Sequence, residues 1–372
     1  NGRVIVEEGY LNMSGVKASQ VLVKGGAITV GDMTGTVELA GGTLRLRNDF
    51  SSFETNVGAN LLVTSDSRIV VSRHEGVNVS LSGTISGPGS LEIASFEQHP
   101  LSQTSVLTIT SSNPNYSAPV RIDSVVVGMQ WDNSLGSGPV DVVNGGVLKL
   151  GSLSNRNYVL KNDVTLHNGE LDGSRIENVM QGDLTVSGLS YVRQLQVHGA
   201  TYLAPDSRMT VNGMSETMFV GPILVASHSE VWYGGDDTSS LGTSQNHWAQ
   251  FVGEVRSNSS QSVLNFVGLG VRPALFDLSL HASAGQTLTL LHNGLPFDKT
   301  ISGSDDSVSG SGIIANNVTL TDGATISPGN STGILTIDGD LTMTGGSRLA
   351  IEIGGTTRGV DYDTLVVTGA LD

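Results

Sequence analysis

A short phrase recurs along this chain: two glycines, then a run in which apolar and polar residues alternate. It reads Gly25-Gly26-Ala27-Ile28-Thr29-Val30, then Gly41-Gly42-Thr43-Leu44-Arg45-Leu46, then Gly145-Gly146-Val147-Leu148-Lys149-Leu150. A variant is Gly345-Gly346-Ser347-Arg348-Leu349-Ala350-Ile351. A second phrase puts an acidic or amide residue before the strand and a glycine after it. It appears as Asp163-Val164-Thr165-Leu166 with Gly169, and again as Asp183-Leu184-Thr185-Val186 with Gly188. It returns as Asn317-Val318-Thr319-Leu320 with Gly323, and as Asp340-Leu341-Thr342-Met343 with Gly345. Short strands repeating at such an interval predict a solenoid, because one unit has too little apolar surface to bury alone.

The rest of the chain agrees. Strand-like runs of three to five residues recur at Val4-Val6, Val21-Val23, Val37-Leu39, Leu44-Leu46, Leu107-Ile109, Val147-Leu150, Val164-Leu166, Thr287-Leu291, Val318-Leu320 and Leu335-Ile337. Gly, Asn, Asp and Ser punctuate them. No stretch of a dozen residues carries apolar positions at helical spacing. The predicted fold is all-β: a parallel β-helix (β-solenoid), a single elongated rod of about 17 coils and on the order of 80 Å. A β-sandwich or propeller would need more aromatic core positions and longer strands. Asn-Gly hairpin signals do occur, at Asn144-Gly145, Asn168-Gly169, Asn212-Gly213 and Asn293-Gly294.

Composition now has a cause. The chain has 48 Gly among 372 residues, no Cys, and only 5% aromatics. Stacked coils need a corner former every few residues, and their thin core has little room for large rings. Without Cys, disulfide scaffolds, thiolate zinc sites and Cys nucleophiles are excluded. A net charge of −16 speaks against a nucleic-acid partner. No apolar run approaches the ~20 residues of a membrane-spanning helix, so no transmembrane segment is expected. The chain begins at Asn1 with no charged-then-apolar leader, which reads as a processed chain or a fragment.

The segment from Ile85 to Leu150 carries a family likeness. It contains Ile85-Ser86-Gly87-Pro88-Gly89-Ser90-Leu91, Val106-Leu107-Thr108-Ile109-Thr110, Asn113, Asn115-Tyr116, Val120-Arg121-Ile122 and Asn133-Ser134-Leu135-Gly136-Ser137-Gly138-Pro139-Val140. This resembles the passenger-associated transport repeat of bacterial autotransporter-type surface proteins. Ala324-Thr325-Ile326-Ser327-Pro328-Gly329-Asn330-Ser331, Ile334-Leu335-Thr336-Ile337 and Asp361-Tyr362-Asp363-Thr364-Leu365-Val366-Val367 resemble the stalk that precedes the membrane anchor of such passengers. Together these cover about a third of the chain. Two departures stand out: Ser117-Ala118-Pro119 replaces the usual Gly-Gly-Thr, and Phe96 to Ser105 reads as an insertion. The resemblance implies a right-handed β-helix exported to the cell exterior, at the bacterial surface. The expected organisation is 1–200, coils with passenger-type repeats; 201–305, irregular coils with longer excursions; and 306–372, stalk-like coils.

Chemistry is sparse. Residues 201–305 concentrate aromatics, and Trp232, Tyr233 and Trp248 are the candidate contacts for a surface glycan or a partner chain. The plainer alternative makes the aromatics of this region ordinary core residues of irregular coils. No motif requires a cofactor. Calcium is the one ion for which ligands stand out, at Asp236 and Asp237, Asp305 and Asp306, and Asp361 and Asp363, where hard oxygens lie on turns. Solvated turn surface is the alternative, since no EF-hand loop or glycine-aspartate nonapeptide array is present. Gly329-Asn330-Ser331-Thr332-Gly333 matches a nucleophile elbow in spelling only, because a strand and not a helix follows it. The eight histidines show no ligand spacing.

The expected function is non-enzymatic: an extracellular structural or adhesive element, such as a stalk, surface-layer component or filament subunit. Coil ends with unpaired strand edges favour self-association, end-to-end or lateral. The alternative is a carbohydrate-active or glycan-binding β-helix with its site in 201–305. That reading would use Asp236 as a hydrolytic carboxylate, or Arg175 or Arg208 as a lyase base.

Overall fold

The computed structural model describes residues 3–8, 10–12, 20–30, 33–46, 54–71, 78–95, 106–151, 156–211, 217–233, 249–251, 253–267 and 279–372. Among them there are strands and turns and no helix. The strands assemble into long parallel sheets, as a β-helix requires. Two compact units result, Asn1–Asp183 and Leu184–Asp372.

In Asn1–Asp183 one ladder runs through Tyr10–Asn12, Ala27–Val30, Thr43–Leu46, Ser67–Val71, Leu91–Ser95, Val120–Asp123, Val140–Val143 and Val164–His167, every neighbour parallel. A second runs through Arg3–Val6, Gln20–Val23, Met33–Ala40, Glu54–Ser65, Asn78–Leu81, Val106–Ile109, Val126–Met129, Val147–Leu150 and Glu170–Asp172. A short third ladder pairs Val159–Leu160 with Val179–Met180. Leu184–Asp372 repeats the plan: Leu184–Ser187 starts a ladder that reaches Arg348–Leu349, and Leu189–Arg193 starts one that reaches Thr364–Val367. Most described strands of residues 201–305 belong to these two ladders; Thr217–Phe219 pairs instead with Gln196–Val197 and Ala249–Phe251, and Lys299–Ser302 with Val318–Thr321. All ten strand-like runs read from the sequence lie in strands.

The alternation explains why the strands stack. In Thr43–Leu46, Leu44 and Leu46 point inward and Thr43 and Arg45 outward. Registered pairing then places Leu44, Ile69, Ile93, Ile122, Val142 and Leu166 one above another, all fully buried. Each such side chain contributes about 1.5–3 kcal/mol by leaving water. A one-residue slip would turn the whole stack outward, so the pattern fixes the register. The outward ladder of the same strands alternates in sign: Arg68, Glu92, Arg121 and Asp141 are successive partners. Arg68 Nε lies 3.3 Å from Glu92 Oε2. Such exposed pairs add little stability, but they penalise registers that bring like charges together.

The repeated glycine pair serves two purposes. Gly145 has φ +78°, following Asn144 at +53°, so the chain turns a corner in the left-handed region. Gly146 meets the coil beneath it, where a Cβ would lie 2.6 Å from the Ile122 carbonyl oxygen. Asn144-Gly145 therefore joins strands of two different sheets and is not a hairpin. Asn293-Gly294, both at positive φ, does form one, pairing Thr287–His292 antiparallel with Leu295–Pro296. Asn212-Gly213 lies outside the described residues.

Coil length is less regular than the sequence period of about 22 suggests. Gln20 pairs with Thr36 across a short coil, while Asn78 pairs with Val106 across a much longer one. The strands keep their parallel register across both.

Candidate functional site

Trp232 lies on the strand Ser229–Tyr233, whose neighbours are Arg208–Val211 on one side and Gln261–Val267 on the other. Register places Glu230 between Arg208 and Asn265. The Trp232 indole Nε1 donates to Glu230 Oε2 at 2.7 Å, and Arg208 Nε donates to the same oxygen at 2.9 Å. The Arg208 guanidinium also stacks on the Trp232 ring, 4.2 Å from its centre. Burial alone would raise the Glu230 carboxyl. Hydrogen bonds from Trp232, Arg208 and Asn265, together with the Arg208 charge, outweigh it and hold the group below its ordinary value. Tyr191 and Leu189, both exposed, lie on the strand paired with Arg208–Val211, opposite Thr210 and Arg208. Three successive coils thus present an aromatic and charged lateral face.

The other predicted contacts divide. Tyr233 ends the Trp232 strand opposite Val211, and its side chain lies outside the described residues. Trp248, Asp236 and Asp237 lie outside them as well. Asp305 is exposed, with Ser304 Oγ donating to its Oδ1 at 3.5 Å. The Asp306 amide donates to the Gly303 carbonyl at 3.2 Å in the same turn. Asp361 Oδ2 accepts the amides of Thr357 at 2.9 Å and Thr356 at 3.2 Å. The hydrogen bonds from the Thr357 side chain and amide lower its pKa. Asp363 is buried: its Oδ1 accepts the Gly333 amide at 2.8 Å and its Oδ2 the Glu352 amide at 2.7 Å. Asp361 thus closes a turn within the 350–363 excursion, and Asp363 staples that excursion to the Gly333 turn through N–H donors. Among the described residues no three His, Asp or Glu side chains converge as metal ligands would.

Of the two lyase-base candidates, Arg175 Nε lies 3.5 Å from Glu177 Oε2, and Arg208 is committed to Glu230 and Trp232. The Gly329–Gly333 segment is a turn between the strands Thr325–Pro328 and Ile334–Ile337.

Two further groups stand out that no sequence motif marks. His281 is almost fully buried on Ser279–Ala282, where a hydrogen bond of 2.9 Å joins Nδ1 and Ser309 Oγ on the next coil. Burial lowers its pKa; Glu254, 4.0 Å from Nδ1, opposes this and Arg256 reinforces it. The folded ring thus holds a proton less readily than the unfolded one. Stability is complete above the unfolded value near 6.5 and falls as pH drops through that value toward the lower folded one. Thermal unfolding between pH 7 and pH 5 is expected to shift less in His281→Gln than in the parent chain. Equal slopes would remove His281 from the account.

The second group is Trp131, half exposed, with Arg156 stacked 4.9 Å from its ring centre and 4.9 Å from that of Tyr158. Trp131 and Arg156 sit on different coils, and no local motif links them.

These coils define a protein of the parallel β-helix class. Comparison with protein-family models, with curated proteins and with solved structures gives no match.

Proposed function

We propose that this β-helix is a non-enzymatic structural or adhesive element of the cell exterior, related to bacterial autotransporter-type passengers. The observation that carries this reading is the use made of its charged groups. Arg68 with Glu92, Arg208 with Glu230 and Lys149 with Asp172 bridge successive coils, and Asp361 and Asp363 anchor backbone amides. Such groups fix coil register and rim geometry, which is what a stiff scaffold needs. The passenger-type phrases from Ile85 to Leu150 support an exported origin.

Self-association belongs to the same reading. The excursion between Leu349 and Asp363 exposes Ile351, Ile353 and Val360, with Ile353 at 80%. Exposed aliphatics grouped on one excursion favour contact with a second copy. Light scattering and electron microscopy over rising concentration are expected to show oligomers or filaments, and Ile353→Asp to reduce them. A strictly monomeric chain at every concentration would count against association. New reducing ends or unsaturated products from uronate or neutral polysaccharides, lost in Asp236→Asn, would instead establish the enzymatic alternative.

A further inference from the structure

Unit Asn1–Asp183 carries a depression of about 400 Å³ whose lining includes Pro114, Trp131, Asp132, Asn133, Arg156 and Lys161. Its size falls in the roughly 300–1,000 Å³ range of small-ligand sites. Trp131 is 46% exposed, yet it is locked in place. Its indole Nε1 donates to the Thr110 carbonyl at 2.8 Å, and its amide donates to Ser134 Oγ at 3.0 Å. The Ser134 amide returns a bond to the Trp131 carbonyl at 3.1 Å.

Arg156 is locked as well. It stacks on Trp131 and Tyr158, and its Nη2 donates to Asp132 Oδ1 at 2.8 Å. That oxygen also accepts the Val159 amide at 3.1 Å, which ties the Trp131 turn to the next coil. Lys161 is exposed, and among the described residues it pairs with no carboxylate. The lining therefore holds two cations and one carboxylate, on a chain whose net charge is −16. Arg156 is offset by Asp132, so the pre-set aromatic ring lies beside one net positive charge, that of Lys161.

We propose that this depression binds an acidic oligosaccharide, one whose sugars carry a carboxylate. The exposed part of the Trp131 ring stacks on the C–H face of a sugar, a contact that needs an apolar platform with polar edges. Lys161 takes the carboxylate through a charge-assisted hydrogen bond, beside the Arg156 guanidinium that Asp132 holds in place. Asn133 and Ser137 supply neutral partners for ring hydroxyls. Because ring and guanidinium are fixed before binding, little ordering cost opposes it. The site goes beyond the scaffold reading, which stands without a ligand here.

The test titrates the full chain with tetragalacturonate, with its methyl ester and with a neutral glucose tetrasaccharide, by calorimetry and tryptophan fluorescence at low salt. Saturable binding of the free acid is expected, with the uncharged ester weaker by about tenfold. Trp131→Ala is expected to weaken binding by about tenfold, and Lys161→Gln by about threefold. Trp131→Ala also removes the indole hydrogen bond to Thr110, so Lys161→Gln, expected to leave the unfolding midpoint unchanged, keeps the test open. No saturable binding of the free acid, equal binding of acid and ester, or unchanged binding in both Trp131→Ala and Lys161→Gln would overturn the assignment. None of these results touches the self-association experiment, so the two readings fail separately.

Discussion

Gly136→Ala is expected to destabilise the protein by about 3–5 kcal/mol, seen as a lower urea midpoint or as failure to fold. Gly136 has φ +79°, where an L residue alone costs about 1–2 kcal/mol. A Cβ there would lie 2.0 Å from the Tyr116 carbonyl oxygen. That oxygen accepts the Ser137 amide at 2.8 Å, so the added methyl would displace the bond that joins the two coils. Tyr116 has no room to yield: it is fully buried, and its hydroxyl donates to the Gly89 carbonyl at 2.9 Å. Gly128→Ala is the control. Its added Cβ would come no closer than 3.5 Å, to Thr108 Oγ1, and its φ is not in the left-handed region. It is expected to change stability by less than about 1 kcal/mol. Equal effects of the two substitutions would mean that coil contact at Gly136 is not limiting.

Asn113→Ala is expected to cost a similar amount, about 3–5 kcal/mol, while Asn115→Ala, two positions further on, stays within about 0.5 kcal/mol. Both asparagines belong to the same sequence phrase. Asn115 is exposed, whereas Asn113 is 2% exposed and connects three coils. Its Oδ1 accepts the Ile85 amide at 2.6 Å, and its Nδ2 donates to the Ser134 carbonyl at 2.6 Å. Alanine would leave a buried donor and a buried acceptor unpaired. Urea unfolding followed by circular dichroism decides; a small loss at Asn113 would show that water or the neighbouring Ser111 replaces the amide.

The device recurs elsewhere. Asn178 Oδ1 accepts the Tyr158 amide at 2.7 Å, and Asn316 both accepts from and donates to the Leu290 backbone at 2.8 Å. Buried asparagines at coil corners substitute for the ladder bonds that the chain gives up when it turns. In the sequence they look like the many exposed asparagines around them. Composition shows that turns are frequent, but not which side chains face inward.

What the sequence determined is local. Alternation with period two names the inward residues of each strand, so Leu44, Ile93, Ile122 and Leu166 follow as core residues from their own strands alone. Glycine pairs mark corners because few other residues enter the left-handed region cheaply. Those two signals suffice for a parallel β-helix.

What only the tertiary structure decided is which outward residues meet. The coil between the partners Glu230 and Asn265 is about twice as long as the one between Gln20 and Thr36. The strands keep their parallel register in both, so no fixed spacing predicts a cross-coil pair. Trp232 was legible as a candidate, but not its partners Arg208 and Glu230. Trp131 and Arg156 were not legible at all. The physical reason is the same in each case: the buried stripe is written along one strand, whereas a surface site on a solenoid is written across several coils, in a register that only stacking sets.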